Sequence, residues 1–310
     1  MLVALSVLWG SSFFFVAVAV RDLPPLTIVV LRIGIAALAL WTLLPLLGLS
    51  MPRDGKAWRL FFGIGLLNTV LPSCLTVWAQ THIGSGVASV LNATTPLFTV
   101  IIAHILTADE KLTLPRLLGV VAGLIGVAVM VGGAALRSLG VNVVAELAIL
   151  LAAIAYAFAA VLGRRFQATG ITPIPAATGM VTASTLLLLP VTLIAEEPWT
   201  HPVPSGATIA AILGLALVSS VAGYILYFRI LATAGATNLL LVAFLAPVSA
   251  ILLGTIVLGE RLEPRHVVGM GLIGLGLMVI DGRPARLARR LVQPSGSAVP
   301  GKHRDDARDG

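Results

Sequence analysis

A long apolar unit occurs twice in this chain, and that recurrence restricts the fold more than any other feature. Residues 84–133 read as an apolar helix with a proline near its middle, an acidic-basic turn and a glycine-rich apolar helix, and residues 235–282 repeat the pattern. Gly84 and Pro96 recur 151 residues later as Gly235 and Pro247. Past a one-residue gap, Glu110, Leu112, Gly119, Gly126 and Gly132 recur 150 residues later as Glu260, Leu262, Gly269, Gly276 and Gly282. A repeat this apolar marks a duplicated membrane unit.

Charged residues make up 11% of the chain and apolar residues 58%, where a soluble domain carries roughly 25% charged. Ten apolar runs of about 20 residues follow one another with short polar punctuation, each long enough to span a bilayer. Because the runs are continuous rather than alternating, helices and not barrel strands satisfy the backbone. The expected fold is an all-α polytopic membrane protein of ten transmembrane helices in two inverted five-helix repeats. Helices are expected over residues 1–20, 26–47, 58–78, 84–106, 116–135, 143–163, 174–195, 206–228, 235–258 and 264–280. The first repeat then covers 1–135 and the second 143–282, and residues 283–310 form a disordered basic tail. Residues 1–20 resemble a secretory signal, but they lack a basic start and Trp9, Gly10, Ser11 and Ser12 interrupt the core, so they are read as helix one. Cys74 is the single cysteine and falls inside a span, which excludes an internal disulfide.

The formal charge of +7 sets topology and does not imply a nucleic-acid partner. With a cytoplasmic N-terminus, the cytoplasmic segments hold fifteen Lys and Arg, including Arg53, Lys56, Arg59, Lys111, Arg116 and the tail. The opposite side holds only Arg21, Arg137, Arg261 and Arg265. Both termini are therefore expected in the cytoplasm. Five helices per half is odd, so the two halves face opposite ways.

The WGSSF segment of helix one, the A-x-x-P-L near Pro96 with its A-P-V echo at Pro247, and the E-x-L turn followed by spaced glycines resemble the drug/metabolite transporter superfamily in its duplicated EamA-type branch. The resemblance covers nearly all of residues 1–282. It implies a secondary transporter of the cell (inner) membrane, often an exporter of amino acids or other small metabolites, working by alternating access.

The interior prolines separate packing helices from broken ones. Gly119, Gly123 and Gly126 in helix five, and Gly269, Gly271, Gly274 and Gly276 in helix ten, form small-residue faces for close packing. The G-x-G-x-x-G within the latter follows no strand and carries no nucleotide signal. Pro72 and Pro96 each free a carbonyl four residues back, at Asn68 and Asn92. With Gly223 standing where Pro72 stood and Pro247 where Pro96 stood, four helix breaks are expected. The alternative is kinks satisfied by Thr69, Thr94 or Thr95.

Polar spacing marks the candidate substrate-binding residues. Asn68, Thr69, Ser73, Thr76 and Gln80 lie along helix three, and Ser89 and Asn92 on helix four. Ser220, Tyr224 and Tyr227 lie on helix eight and Ser249 on helix nine. Trp9 and Tyr156 stand at comparable places in helices one and six. Interhelical hydrogen bonding is the simpler use of any one of them. Arg32 lies two turns into helix two, where a guanidinium is costly; it either meets a substrate carboxylate or snorkels to the interface. Glu146, His82 and His104 are the candidates for proton coupling. Small four-helix exporters of the same superfamily carry a glutamate in their first helix, which is absent here and speaks against a lipophilic-cation pump.

The leading expectation is an exporter of small amino-acid-like metabolites. A broad-specificity exporter of amphipathic drugs, a flippase for a lipid-linked substrate, and a non-transport membrane protein are the alternatives. Catalysis is not expected, since no nucleophile-base pair or metal-ligand set shares a span centre, and no cofactor is called for. The expected partners are a small-molecule substrate and the lipid bilayer, and monomer and homodimer both remain open.

Overall fold

The computed structural model describes residues 1–107, 113–131, 141–167 and 170–281, with the backbone alone described at 130–131, 164–167, 227–229, 231–241, 243–244 and 281. The Glu110 turn, Arg137, the tail after residue 282 and the Tyr227 side chain lie outside the described residues.

Helices account for every long element. They are α1 (Leu2–Ala19), α2 (Pro25–Leu46), α3 (Gly55–Gly65), α4 (Leu71–Ala79), α5 (Ser85–Asn92), α6 (Thr95–Leu106) and α7 (Leu114–Val131). The second half continues with α8 (Val141–Gln167), α9 (Pro173–Ala195), α10 (Gly206–Leu213), α11 (Gly223–Leu258) and α12 (Pro264–Asp281). Pro25, Pro173 and Pro264 open their helices, where a missing N–H costs nothing. Asp54 caps α3 by accepting from Lys56 N at 3.0 Å. Seven helical stretches are long and apolar enough to cross a membrane. Shorter apolar stretches at Leu114–Val129, Leu245–Leu258 and Pro264–Ile280 complete the ten expected segments.

Helices eight and nine are not separated by a break in helical backbone, because α11 is continuous for 36 residues. At about 1.5 Å per residue it would be roughly 54 Å long if straight, well beyond a hydrocarbon core of about 30 Å. Contacts with α1 show two passes instead. Gly214 approaches Phe15, Gly223 approaches Trp9, and Ile230 clusters with Leu5; then Val242 clusters with Leu5, and Ser249 lies against Gly10. The chain descends along α1 and returns.

The breaks differ in kind from the kinks expected. Leu66–Val70 and Gly214–Ala222 are π-helical, and the 151-residue offset carries 66–70 onto 217–221. Pro72 and Gly223 follow these two segments at matching places, so each half widens its third helix at the same level. Such widenings often accompany functional sites. At Pro96 the helix stops at Asn92 and restarts at Thr95, and Thr95 Oγ1 donates to the Asn92 carbonyl at 2.7 Å. Pro247, expected as a break, lies within α11. Gly10 of α1 packs against Ala246 and Ser249 there, and the neighbour supports an unbroken course.

Packing respects the duplication. α2 packs on α9, α7 on α12 and α5 on α11, each pairing an element with its counterpart. α4 packs on α8 as the second π segment and α11 pack on α1, and α3 packs on α9 as the second π segment packs on α2. The α7–α12 seam is close: a methyl at Gly119 would lie 2.6 Å from Gly276 O, and one at Gly126 2.7 Å from Gly269 O. Gly271 and Gly274 meet nothing within 4 Å, so they are not part of this seam.

Candidate substrate site at the repeat interface

Arg32 enters the bundle instead of snorkelling to its edge. Its Nε donates to Ser220 Oγ at 3.1 Å, and Ser220 Oγ donates to Leu215 O at 2.9 Å. That carbonyl lies five residues back, within the second π segment, so the widened turn positions the acceptor of the guanidinium. Tyr156 of α8 lies near Arg32 and near Ser73 of α4. Two residues from each repeat therefore converge: Arg32 and Ser73 from the first, Tyr156 and Ser220 from the second. Among the described residues, no carboxylate pairs with Arg32 and its Nη groups have no hydrogen-bond partner. A guanidinium presents a rigid fork matched to a carboxylate.

A second set of polar groups lines the same helices. Thr69, Thr76 and Gln80 keep the expected spacing along the first π segment and α4. Thr69 and Gln80 are buried, and Thr69 Oγ1, Thr76 Oγ1 and both amide atoms of Gln80 are buried without a partner. Asn92 Oδ1, beside the α5–α6 break, is another. Each such group costs about 1–3 kcal/mol if left unsatisfied, so a helix face with several is suited to a polar guest.

Other expected residues are used by the fold itself. Ser89 is buried and donates to Gly86 O at 2.7 Å. Ser249 donates to Ser6 O at 3.0 Å and to Ala246 O at 2.9 Å, joining α11 to α1. Asn68 Nδ2 donates to Met180 Sδ at 3.4 Å on α9. Tyr224 packs on the cluster of Ala37, Leu40, Met180 and Val181. Trp9 lies against Gly223, where a methyl would stand 2.7 Å from the indole Nε1. Pro72 is buried beside Ser73.

Of the proton-coupling candidates, Glu146 is buried, with Oε2 unpartnered and with Arg265 and Glu263 as the charges acting on it. His82 sits at a helix end, its Nδ1 bonded to Thr81 Oγ1 at 2.8 Å, and His104 is in the last turn of α6 and has a partner. Sequence reasoning missed the carboxylates Asp22, Glu196 and Glu260, which cap distant helices. Glu260 was visible as the echo of Glu110, but its acceptor role was not. Asp22 is held down at about 2 by the Ser205 and Thr208 hydroxyls and the Ser205 N–H.

The EamA-like transporter family matches residues 1–132 and again residues 143–281. This chain belongs to that family. The family's double match coincides with the repeat seen in sequence and packing, and with the apolar helices it makes the protein a multi-pass membrane transporter. The inner membrane transporter YedA of Escherichia coli K12, itself uncharacterized, is 28% identical over 94% of each chain. Protein PecM of Dickeya dadantii is 25% identical over 92% of this chain and 93% of its own. A Streptantibioticus cattleyicolor protein named "Probable terminal-alkyne amino-acid exporter" is 26% identical over 94% of this chain and 96% of its own. A solved crystal structure with 21% identity superposes with a TM-score of 0.65 over 94% of this chain and 96% of that one, the same fold.

Proposed function

We propose that the protein exports small amino-acid-like metabolites by rocking its two inverted repeats, 1–135 and 143–282, about a central site, with both termini in the cytoplasm. The observation that carries this reading is Arg32, held by Ser220 with its Nη groups unengaged, beside Tyr156 of the opposite repeat. One cation among hydroxyls and amides suits a zwitterion or weak acid better than a cation. The carboxylate would take the guanidinium fork, and the polar remainder would meet Thr69, Thr76, Gln80 and Asn92. The exporter named from Streptantibioticus cattleyicolor is a distant precedent for an amino-acid cargo. Glu146 is the proton carrier in this reading, since it is the buried carboxyl with an unpartnered oxygen.

The test is counterflow in proteoliposomes loaded with neutral amino acids, weak acids or lipophilic cations. Neutral amino acids or weak acids should exchange, and Arg32→Ala, Asn92→Ala and Tyr156→Phe should each lower the flux. Normal transport of the identified substrate by all three correctly inserted variants would overturn the site.

A further inference from the structure

Three carboxylates reach from one repeat to the start of a helix in the other, all at one face of the bundle. Asp22, in the turn between α1 and α2, accepts from Ser205 N at 2.9 Å, Ser205 Oγ at 2.5 Å and Thr208 Oγ1 at 2.7 Å, where α10 begins. Glu196, at the end of α9, accepts from Leu26 N at 2.8 Å, Thr27 N at 2.7 Å and Thr27 Oγ1 at 2.8 Å in the first turn of α2. Glu260, just past α11, accepts from Ser85 N at 2.8 Å, Ser85 Oγ at 2.9 Å and Gly86 N at 3.1 Å in the first turn of α5. A helix N-terminus offers unpaired N–H groups and a positive dipole end, so each pairing is charge-assisted.

Among the described residues, which leave out the Glu110 turn, the placement is one-sided. Successive spans reverse direction, so residues 20–24, 80–84, 196–205 and 259–263 share a face. At the opposite face Asp54 caps only its own helix, and among the described residues no carboxylate joins the repeats there. The Glu260 clamp also depends on backbone clearance. Gly259 takes a left-handed φ of 70° to turn the chain out of α11. A methyl at Gly254 would lie 2.5 Å from Glu260 Oε2 and 2.7 Å from Ser85 Oγ, and one at Gly84 would lie 3.0 Å from the same carboxylate oxygen.

We propose that Asp22, Glu196 and Glu260 form a latch that closes this face of the transporter, and that the two repeats part there only when the three carboxylates leave the helix starts they cap. The latch rests on the alternating-access reading but assigns the closed side and the residues that hold it. Asp22, held at about 2, stays ionised at ordinary pH. Release at that clamp comes from movement of α10 and not from titration.

The test reads accessibility and not flux. In a Cys74→Ala background, Thr76→Cys on α4 reports entry from the latched face, one turn below Gln80. Labelling by a membrane-impermeant maleimide is followed in vesicles of both orientations. Glu196→Gln with Glu260→Gln should raise the labelling rate from the latched face by about tenfold, each lost charge-assisted contact being among the stronger hydrogen bonds. Gly254→Ala displaces Glu260 without removing its charge and should act in the same direction, which covers a failure of the double variant to insert. An unchanged rate in monodisperse, inserted variants would overturn the latch. Faster labelling in a protein with no flux for any cargo would support the latch while contradicting the proposed export.

Discussion

Four glycine-to-alanine substitutions on α7 and α12, two on their seam and two off it, separate packing from composition. In Gly119→Ala the new methyl would stand 2.6 Å from Gly276 O, 2.7 Å from Ile280 Cγ1 and 3.0 Å from Ile280 N. In Gly126→Ala it would stand 2.7 Å from Gly269 O and 2.8 Å from Ile273 N. Nonbonded heavy atoms prefer about 3.5 Å or more, so the two helices must separate by roughly 0.8 Å along the seam. Overpacking of this kind costs about 1–3 kcal/mol, and since the obstacles include backbone O and N atoms no rotamer fully relieves it. Gly271 and Gly274, on α12 itself, meet nothing within 4 Å. Their alanine variants should change stability by no more than about 0.5 kcal/mol, or gain slightly from helix propensity. Unfolding in mixed micelles, followed by tryptophan fluorescence, gives the comparison directly. Equal stability losses in all four variants, or none in any, would refute the assigned seam.

Three further outcomes follow from the same contacts. Arg32→Lys keeps the charge but loses the Nε donor and the planar fork, so apparent substrate affinity should fall by about tenfold, with Arg32→Ala weaker still, as measured by counterflow. Gly223→Ala would put a methyl 2.7 Å from Trp9 Nε1 and 3.1 Å from Trp9 Cδ1; transport should drop while insertion, read by gel filtration, is retained. For Asp22 the folded carboxyl lies near 2 and the ordinary value is 3.8. Its stabilisation is therefore complete above about pH 4 and is lost as pH falls towards 2, and Asp22→Asn should flatten that acid limb of thermal stability.

The fold was legible in the sequence where it depends on composition and recurrence. Ten apolar runs and a 151-residue offset are properties of single segments, and their order survives in the structure. What failed depends on neighbours. The π segments at 66–70 and 214–222 carry no residue signature beyond Pro72 and Gly223, since the choice between a kink and a widened turn is made by packing on α8, α9 and α1. Gly271 and Gly274 have the right residue type but face away from α7, and spacing alone did not separate them from Gly276. Pro247 looked like Pro96, yet only Pro96 breaks its helix.

The candidate site was legible in part for the same reason. Arg32 stood out because a charge within a span is expensive, and the polar face of Thr69, Thr76 and Gln80 followed from helical periodicity. Ser89 and Ser249 have the same chemistry but spend it on nearby carbonyls. The carboxylates at 22, 196 and 260 lie in turns, where acids are ordinary. Their partners are about 170 to 190 residues away in sequence, beyond the reach of any local pattern.

The central claim is export through a site built on Arg32, and untargeted metabolomics of medium and cell extract tests it most directly. Cells expressing the intact protein are compared with empty vector and with an Arg32→Ala variant inserted to the same level. The account predicts an amino-acid-like or weakly acidic compound enriched in the medium only with the intact protein. Equal enrichment with Arg32→Ala, or no compound exported by a correctly inserted protein, would contradict it.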